Sequence, residues 1–391
     1  MITPPDNEYI ISAKNFAPLL SERPARGKEL LAPLAIWDNA HIRVKNGRVA
    51  QITRRRPHWA LKRVEIDDGM LIPPVANAHT HLQLSHTRGR TLWGKGFAPW
   101  LKSLLPLLRP DPRAMLDSIP CALDEIRRSG ARFAGDIGGS LPGSMAAVSR
   151  EAARLGVACR HFCEWFGWES PRSPWPSRAR KERFRLKNPA PCGHALYSTS
   201  PESLRLARQW TKSRGLPFCF HLAESAEEDD ALIDGKGPLY EFYKDRVLPP
   251  GWKPPRMRPA EYAARLSLLG PGTLAVHGVR LSEKDIKILS DSGSALCLCP
   301  RSNAALAVGE APFAQLLESG ALLCLGTDGL SSSPDLDVRE EACRLREIAG
   351  YPARALIRML TVNGASALGF DPTALPIREG SKARFALLKI A

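Results

Sequence analysis

Residues 71–82, LIPPVANAHTHL, join a short apolar run to the pattern His79-Thr80-His81. The run is interrupted by prolines and reads as a buried strand ending near Asn77. Side chains two apart on a strand leave on the same face. His79 and His81 can therefore aim two imidazoles at one point, and imidazole is a common ligand for a borderline metal such as zinc. An isolated pair of this kind is more often ordinary surface or core histidine, so the reading depends on partners elsewhere in the chain.

From this strand a rhythm runs outward. ARFAGDI (131–137), GVACRHFC (156–163), GHALYS (193–198), PFCFH (217–221), TLAVH (273–277), SALCLC (294–299) and ALLCLGTD (321–328) are further apolar runs. With the first, eight candidate strands alternate with amphipathic stretches such as SMAAVSREAARLG and SEKDIKILSDSG. Many of these stop at Gly, a helix C-terminus signal. Eight strand–helix units over roughly 250 residues predict an α/β protein built as a (β/α)8 TIM barrel.

Residues 1–69 break the rhythm. AIWDNAHIRVKNGRVAQITRRR alternates about Asn46-Gly47, a hairpin turn. LPIREGSKARFALLKIA, at the other end, reads as strand–turn–strand. The expectation is a small β-sandwich domain from residues 1–69 plus 371–391, beside a (β/α)8 barrel of residues 70–370. The longest irregular stretch, 164–191, is expected to be a binding loop or lid.

Length and composition set limits. The 391 residues, 44% hydrophobic and 24% charged, suit a large globular fold. No apolar run reaches the roughly 18 residues of a membrane-spanning helix. MITPPDNEYIIS lacks the basic-then-apolar pattern of a signal peptide. Nine scattered cysteines, odd in number and partly inside apolar runs, fit a reducing compartment such as the cytoplasm better than a disulfide framework. The formal charge of +15 raises the question of nucleic acid or an acidic membrane. The basic residues are dispersed, and the densest groups, 52–63 and 172–187, carry no nucleic-acid-binding signature. They read as solvated surface, so neither nucleic acid nor membrane is expected as a partner. The 172–187 group could also line the approach of an anionic substrate.

Reactive residues of a barrel collect at the C-terminal ends of its strands. Five of the nine histidines fall beside predicted strands. His79 and His81 follow the first, and His194 sits at the start of the fourth, where it could lie deeper. His221 ends the fifth and His277 the sixth, while Asp328 ends the eighth. Three neutral imidazoles and a carboxylate suit one divalent metal, with a position left for a water whose pKa the metal lowers. The expected ligands are His79, His81, His221 and Asp328. Glu224, three residues after His221 in HLAES, is placed to shuttle protons to a ring nitrogen and to leaving ammonia. His277 could stabilise the attacking water or the developing tetrahedral centre.

Each residue has a plainer reading when taken alone. Asp328 in GTDG is then a turn or N-cap residue, His277 a core histidine, and Glu224 part of a solvated acidic run, ESAEEDD. Joint placement favours the site. Trp93, Phe97 and Trp100 in TLWGKGFAPWL either offer aromatic faces to a substrate ring, on a loop that glycines allow to move, or pack a helix start against the barrel.

NAHTHL, HLAES, VHG, CPRSN and GTDGL, in this order, resemble the amidohydrolase superfamily and, within it, the mononuclear aminohydrolase (deaminase) branch. The resemblance spans residues 70–370. It implies one divalent metal, zinc or else iron, held by His79, His81, His221 and Asp328, with Glu224, His277 and Asp328 as catalytic groups. Binuclear relatives carry a strand-four lysine, which GHALYSTSP lacks. His194 matches the histidine that faces substrate in related nucleoside deaminases. The motifs look most like aminodeoxyfutalosine deaminases of menaquinone biosynthesis, whose substrate carries a benzoate. A small-molecule purine nucleoside, 6-amino-6-deoxyfutalosine, is thus the implied substrate, with release of ammonia. Deamination of S-adenosylhomocysteine, methylthioadenosine, adenosine or guanine, or a triazine-type chlorohydrolase reaction, is the alternative on the same scaffold. A non-catalytic basic binding protein is the alternative from another class, and a homodimer is left open. Gln83 stands where the family pattern HTHLELS has Glu, and is a further substrate-contact candidate. Gly329 replaces the Ser of GTDS, and GSKARF departs from GxxADF.

Overall fold

The structure, a computed structural model, describes residues 7–19, 23–109, 111–139, 141–168, 171–177 and 179–390. The remaining parts of the expected terminal domain (1–6, 20–22 and 391), of the 164–191 stretch (169, 170 and 178) and of the 172–187 basic group (178) lie outside the described residues.

Four strands precede the barrel: β1 (Glu8–Phe16), β2 (Trp37–Lys45), β3 (Arg48–Thr53) and β4 (Arg63–Ile72). β2 and β3 form the hairpin read from the sequence. Asn46 and Gly47 both take positive φ, 49° and 69°, as a two-residue primed turn demands.

The eight barrel strands follow. They are β5 (Val75–Thr80), β6 (Ala131–Gly138), β7 (Ala158–Trp165), β8 (Pro189–Gly193), β9 (Phe218–Leu222), β10 (Thr273–His277), β11 (Ala295–Leu298) and β12 (Leu322–Leu325). They pair in parallel and in chain order, as sheets β5–β6–β7–β8 and β9–β10–β11–β12. Two seams join the sheets. At one, Ala195 bridges to His221, whose N–H donates to the His194 carbonyl at 2.8 Å. At the other, the Asn77 amide exchanges hydrogen bonds of 2.8 and 3.1 Å with Thr327, and the Asp328 N–H donates to the His79 carbonyl at 3.0 Å. The seams therefore lie beside the residues singled out for chemistry.

The fourth barrel strand differs from expectation. PAPCG (189–193) forms it, and GHALYS begins at its last residue. Pro189 and Pro191 remove two backbone donors and argue against a strand in the sequence. They are tolerated because β8 ladders only with β7 and stands at the edge of its sheet.

A buried cluster runs through the barrel strands, including Ala78, Phe162, Cys192, Cys219, Val276 and Cys297. All nine cysteines are free and seven are buried, where a thiol packs as a small hydrophobe. Helices lie between the strands where periodicity placed them, among them Ser144–Leu155 and Glu283–Ser292. Both end on a left-handed glycine, Gly156 and Gly293.

Beyond the barrel, β13 (Ala386–Leu388) returns to pair with β4, giving one five-stranded sheet of order β13–β4–β1–β2–β3. The two ends of the chain thus meet in one sheet. Of the strand–turn–strand expected over 375–391, only the second strand forms. The first half docks instead as a turn around Gly380, through hydrogen bonds between Gly380, Ser381 and Val49. Among the described residues no helix is long and apolar enough to cross a membrane.

Candidate active site

His79 lies within β5 and His81 just beyond it, while His221 is in β9 and His277 ends β10. Asp328 sits three residues past β12. The chain makes room for this convergence. A Cβ at Gly326 would lie 2.7 Å from the His79 backbone nitrogen, and one at Gly329 would lie 3.0 Å from the His81 Cβ. The GTDG turn therefore wraps tightly against both histidines, and a Ser at 329 would crowd His81. Ala223, His277 and Asp328 all hold positive φ, 52°, 80° and 60°. Left-handed backbone at non-glycine residues costs about 1–3 kcal/mol each and concentrates where function demands it.

Ring nitrogens of His79, His81 and His221 lie within 4.8 Å of one another. Asp328 Oδ1 is 3.4 Å from Nε2 of both His79 and His81. The other oxygen, Oδ2, accepts from Ser302 Oγ at 2.8 Å and from Ser332 Oγ at 2.6 Å. The carboxylate is thus anchored on one side and turned toward the imidazoles on the other. His221 Nδ1 is 2.8 Å from the His194 carbonyl. That contact requires Nδ1 to carry the proton, leaving the Nε2 lone pair toward His81 Nε2 at 3.3 Å. Among the described residues, both nitrogens of the fully buried His79 lack a hydrogen-bond partner. Buried polar atoms are nearly always paired. An orphaned imidazole beside a carboxylate and two further lone pairs fits a bound cation, so this histidine triad could hold a metal. Burial pushes the His81 imidazole down to about 3, which keeps it neutral and able to ligate.

Glu224 and His277 stand at the rim of this cluster. Glu224 Oε1 is 3.5 Å from His277 Nε2. His277 Nδ1 is 3.1 Å from Asn303 Oδ1, so Nε2 is the free lone pair. Burial lowers His277 to about 4. Burial, followed by Asp328 and Glu228, raises the Glu224 carboxyl well above the ordinary range. Burial thus favours the uncharged form of both partners. The acidic run around Glu224 is not mostly solvated as expected. Glu228 is buried on the helix Ala226–Ile233 and accepts the Glu224 N–H at 2.9 Å, which fixes the backbone of the acid.

The residues expected to meet substrate divide. His194 is not at the start of a strand but just past the end of β8, at the mouth rather than deeper in the barrel. Its Nδ1 is 2.5 Å from Ser198 Oγ, and burial lowers it to about 4. The Gln83 side-chain oxygen lies 3.3 Å from each of Gly139 N, Leu141 N and Ser144 Oγ, and so supports the loop after β6. Trp93 and Trp100 both donate Nε1–H to the Ser331 carbonyl, at 2.8 and 2.9 Å, tying the loop after β5 to the loop after β12. Phe97 begins the helix Phe97–Leu104 and is only 4% exposed, within the main core. Packing is thus its evident role.

The sequence reading gave no role to Ser302 and Asn303. Their signal was present in CPRSN, which follows β11, but nothing in one dimension says that its serine and asparagine face Asp328 and His277. Glu164 and Phe166, at the end of β7, were also passed over. Phe166 is 51% exposed and its ring packs 5.2 Å from that of His194.

The amidohydrolase family model matches residues 70–390. The chain is 27% identical over 376 residues to the 5′-deoxyadenosine deaminase of Methanothrix thermoacetophila, spanning 93% of this chain and 85% of that protein. It is 28% identical over 343 residues to the 5-methylthioadenosine/S-adenosylhomocysteine deaminase of Halobacterium salinarum, spanning 82% and 73%. Among solved structures its fold is similar to Helicobacter pylori aminofutalosine deaminase in complex with methylthio-coformycin. The TM-score is 0.74 at 22% identity, over 96% of this chain and 91% of that one. This chain belongs to the amidohydrolase family and is a hydrolase acting on carbon–nitrogen bonds.

Proposed function

We propose that this chain is a metal-dependent deaminase of an adenine-type nucleoside. The carrying observation is Glu224, a buried carboxyl whose surroundings favour its protonated form, set 3.5 Å from His277 at the rim of a four-donor cluster. His79, His81, His221 and Asp328 would hold one divalent metal, and three nitrogens with one carboxylate oxygen suit zinc. When bound, such an ion supplies Lewis acidity and lowers the pKa of a water. Glu224 donates its proton to the ring nitrogen beside the amine-bearing carbon as negative charge gathers there. As the water attacks, the carboxylate takes one of its protons and passes it to the departing nitrogen, which leaves as ammonia; the second proton of that oxygen returns to Glu224 as the carbonyl forms and restores the acid. His277, held by Asn303, presents Nε2 to the same water and fixes its line of attack.

The relatives' names support the substrate class. 5′-Deoxyadenosine, methylthioadenosine and S-adenosylhomocysteine share an adenine ring with an exocyclic amine and differ at the 5′ position. Within that class we place 6-amino-6-deoxyfutalosine first, because the exposed Phe166 beside His194 offers a ring face to a benzoate. The same reading divides the chain into a catalytic barrel, 70–370, and the small domain read from the sequence as a β-sandwich, 1–69 plus 371–391, whose described residues form one five-stranded sheet.

The test is a coupled ammonia assay on the purified, metal-loaded protein. The panel holds 6-amino-6-deoxyfutalosine, S-adenosylhomocysteine, methylthioadenosine, 5′-deoxyadenosine and adenosine, with guanine and a chlorotriazine as contrasts. Turnover of an adenine nucleoside with about one metal per chain supports the reading. Turnover confined to guanine or the chlorotriazine overturns it.

A further inference from the structure

One carboxyl in this site takes no part in the proton transfers above. Glu164, the penultimate residue of β7, keeps partial exposure, yet its Oε1 is buried and accepts no hydrogen bond among the described residues. A Glu164 carboxyl oxygen and one ring nitrogen each of His194 and His221 lie within 4.8 Å of one another. Three such groups could in principle hold a second cation. The hydrogen bonds argue otherwise. His221 Nδ1 is committed to the His194 carbonyl at 2.8 Å, and its Nε2 faces His81. His194 Nδ1 is committed to Ser198 Oγ at 2.5 Å. Only Glu164 and His194 Nε2 remain for a ligand of their own, too few for a closed cation site.

An acceptor held without a donor beside His194 and His221 fits a neutral group that brings the donor with it. The substrate supplies a short list. With its amine-bearing carbon at Glu224, an adenine ring offers acceptors along its other edges, not donors. The remaining donors of the nucleoside are the hydroxyls of its sugar. 5′-Deoxyadenosine and methylthioadenosine lack the 5′-hydroxyl but keep the 2′ and 3′ pair. We infer that Glu164 is a specificity-determining residue that accepts a hydrogen bond from the ribose 2′- or 3′-hydroxyl of the substrate, with His194 Nε2 alongside. The inference rests on the deaminase reading above.

The experiment compares the best nucleoside of the panel with its 2′-deoxy and 3′-deoxy analogues. Each is assayed with the wild-type protein, Glu164→Gln and Glu164→Ala, and metal per chain is measured for all three proteins. The wild type is expected to disfavour one deoxy analogue by about 10- to 100-fold in kcat/KM. Glu164→Ala should bring the parent nucleoside down to the level of that analogue, chiefly through KM, while turnover of the analogue stays within about twofold. Glu164→Gln, which keeps one acceptor oxygen, should recover part of the difference. Metal content should not change. Unaltered discrimination in both variants overturns the inference while leaving the deaminase reading in place. So does a fall from two metals to one, which would make Glu164 a ligand. A wild-type protein that releases ammonia from no nucleoside fails the deaminase reading itself, and this inference with it.

Discussion

Two buried meetings of aspartate with histidine occupy the same barrel, and they are built to opposite ends. Between β6 and β7, Asp136 and His161 are each 1% exposed and pair across a regular ladder, with Oδ2 3.2 Å from Nδ1. Asp136 Oδ1 accepts the Leu82 N–H at 3.1 Å. Of the two side chains only His161 Nε2 is left over. At the seam between β5 and β12, Asp328 faces His79 and His81 at 3.4 Å, on left-handed backbone, and among the described residues both nitrogens of His79 lack a hydrogen-bond partner. The residue types are the same, and Asp136, His161, Asp328 and His79 are all buried. What separates them is convergence: the first pair leaves a single unpaired nitrogen, and the second leaves the ring nitrogens of three histidines gathered about one point. The first also serves the second, because Leu82 follows His81 directly and Asp136 pins its amide. A natural sequence breaks its own local rules where it binds something, and the neighbouring structure carries the cost.

That contrast predicts two separable kinds of damage. The largest effect should come from the site. Glu224→Gln keeps shape and removes the transferable proton. Its kcat is expected to fall by at least about a thousandfold, with metal content and melting temperature unchanged. Near-normal turnover by a metal-loaded Glu224→Gln protein would remove Glu224 as the shuttle.

Damage to the scaffold pair should appear first as lost stability. Asp136→Ala leaves His161 Nδ1 and the Leu82 amide without their acceptor in a dry interior. The expected cost is about 3 kcal/mol, read from the shift in urea unfolding at constant slope. A loss under about 1 kcal/mol with activity abolished would mean that Asp136 belongs to the chemistry, and the contrast would collapse.

Much of this was legible before any coordinates, and the reasons are local. Short apolar runs and glycine-stopped helices are written into the chain, so seven of the eight barrel strands could be read in place. The ends of β5, β9, β10 and β12 then placed His79, His81, His221, His277 and Asp328 together, because barrel topology alone converges strand ends. Features that depend on side-chain direction were not legible. β8 was shifted because Pro189 and Pro191 hide an edge strand. Glu228 looked solvated because an acidic run gives no sign of which carboxylate its helix turns inward. Ser302 and Asn303 needed the third dimension, since each holds a residue 26 positions away, and so did Glu164, whose neighbours His194 and His221 come from other strands.

A smaller effect tests how Asp328 is aimed. Ser332→Ala removes the 2.6 Å hydrogen bond to Oδ2 while Ser302 keeps its own. Groups that orient a metal ligand typically contribute about 10- to 100-fold in affinity. Titration with a competing chelator should show weaker zinc binding in that range. Unchanged affinity would mean that Ser302 suffices and that the second serine is incidental.

The smallest effect concerns the tie between the loop after β5 and the loop after β12. The Ser331 carbonyl accepts from Trp93 Nε1 at 2.8 Å, Trp100 Nε1 at 2.9 Å and Thr91 Oγ1 at 2.5 Å. Three donors on one oxygen share its lone pairs, so removing one should cost less than an ordinary buried hydrogen bond, under about 1 kcal/mol. Ser331 adjoins Ser332, and the tie could therefore serve either the loop that covers substrate or the serine that aims Asp328. Trp100→Phe distinguishes the two. It keeps an aromatic ring against Phe97, 5.3 Å away between centroids, and deletes only the N–H. If the tie holds a substrate-covering loop, KM should rise by up to about fivefold with zinc affinity unchanged. If zinc affinity falls in step with Ser332→Ala instead, the tryptophans belong with the groups that position Asp328, and the boundary of the site extends outward to the first loop.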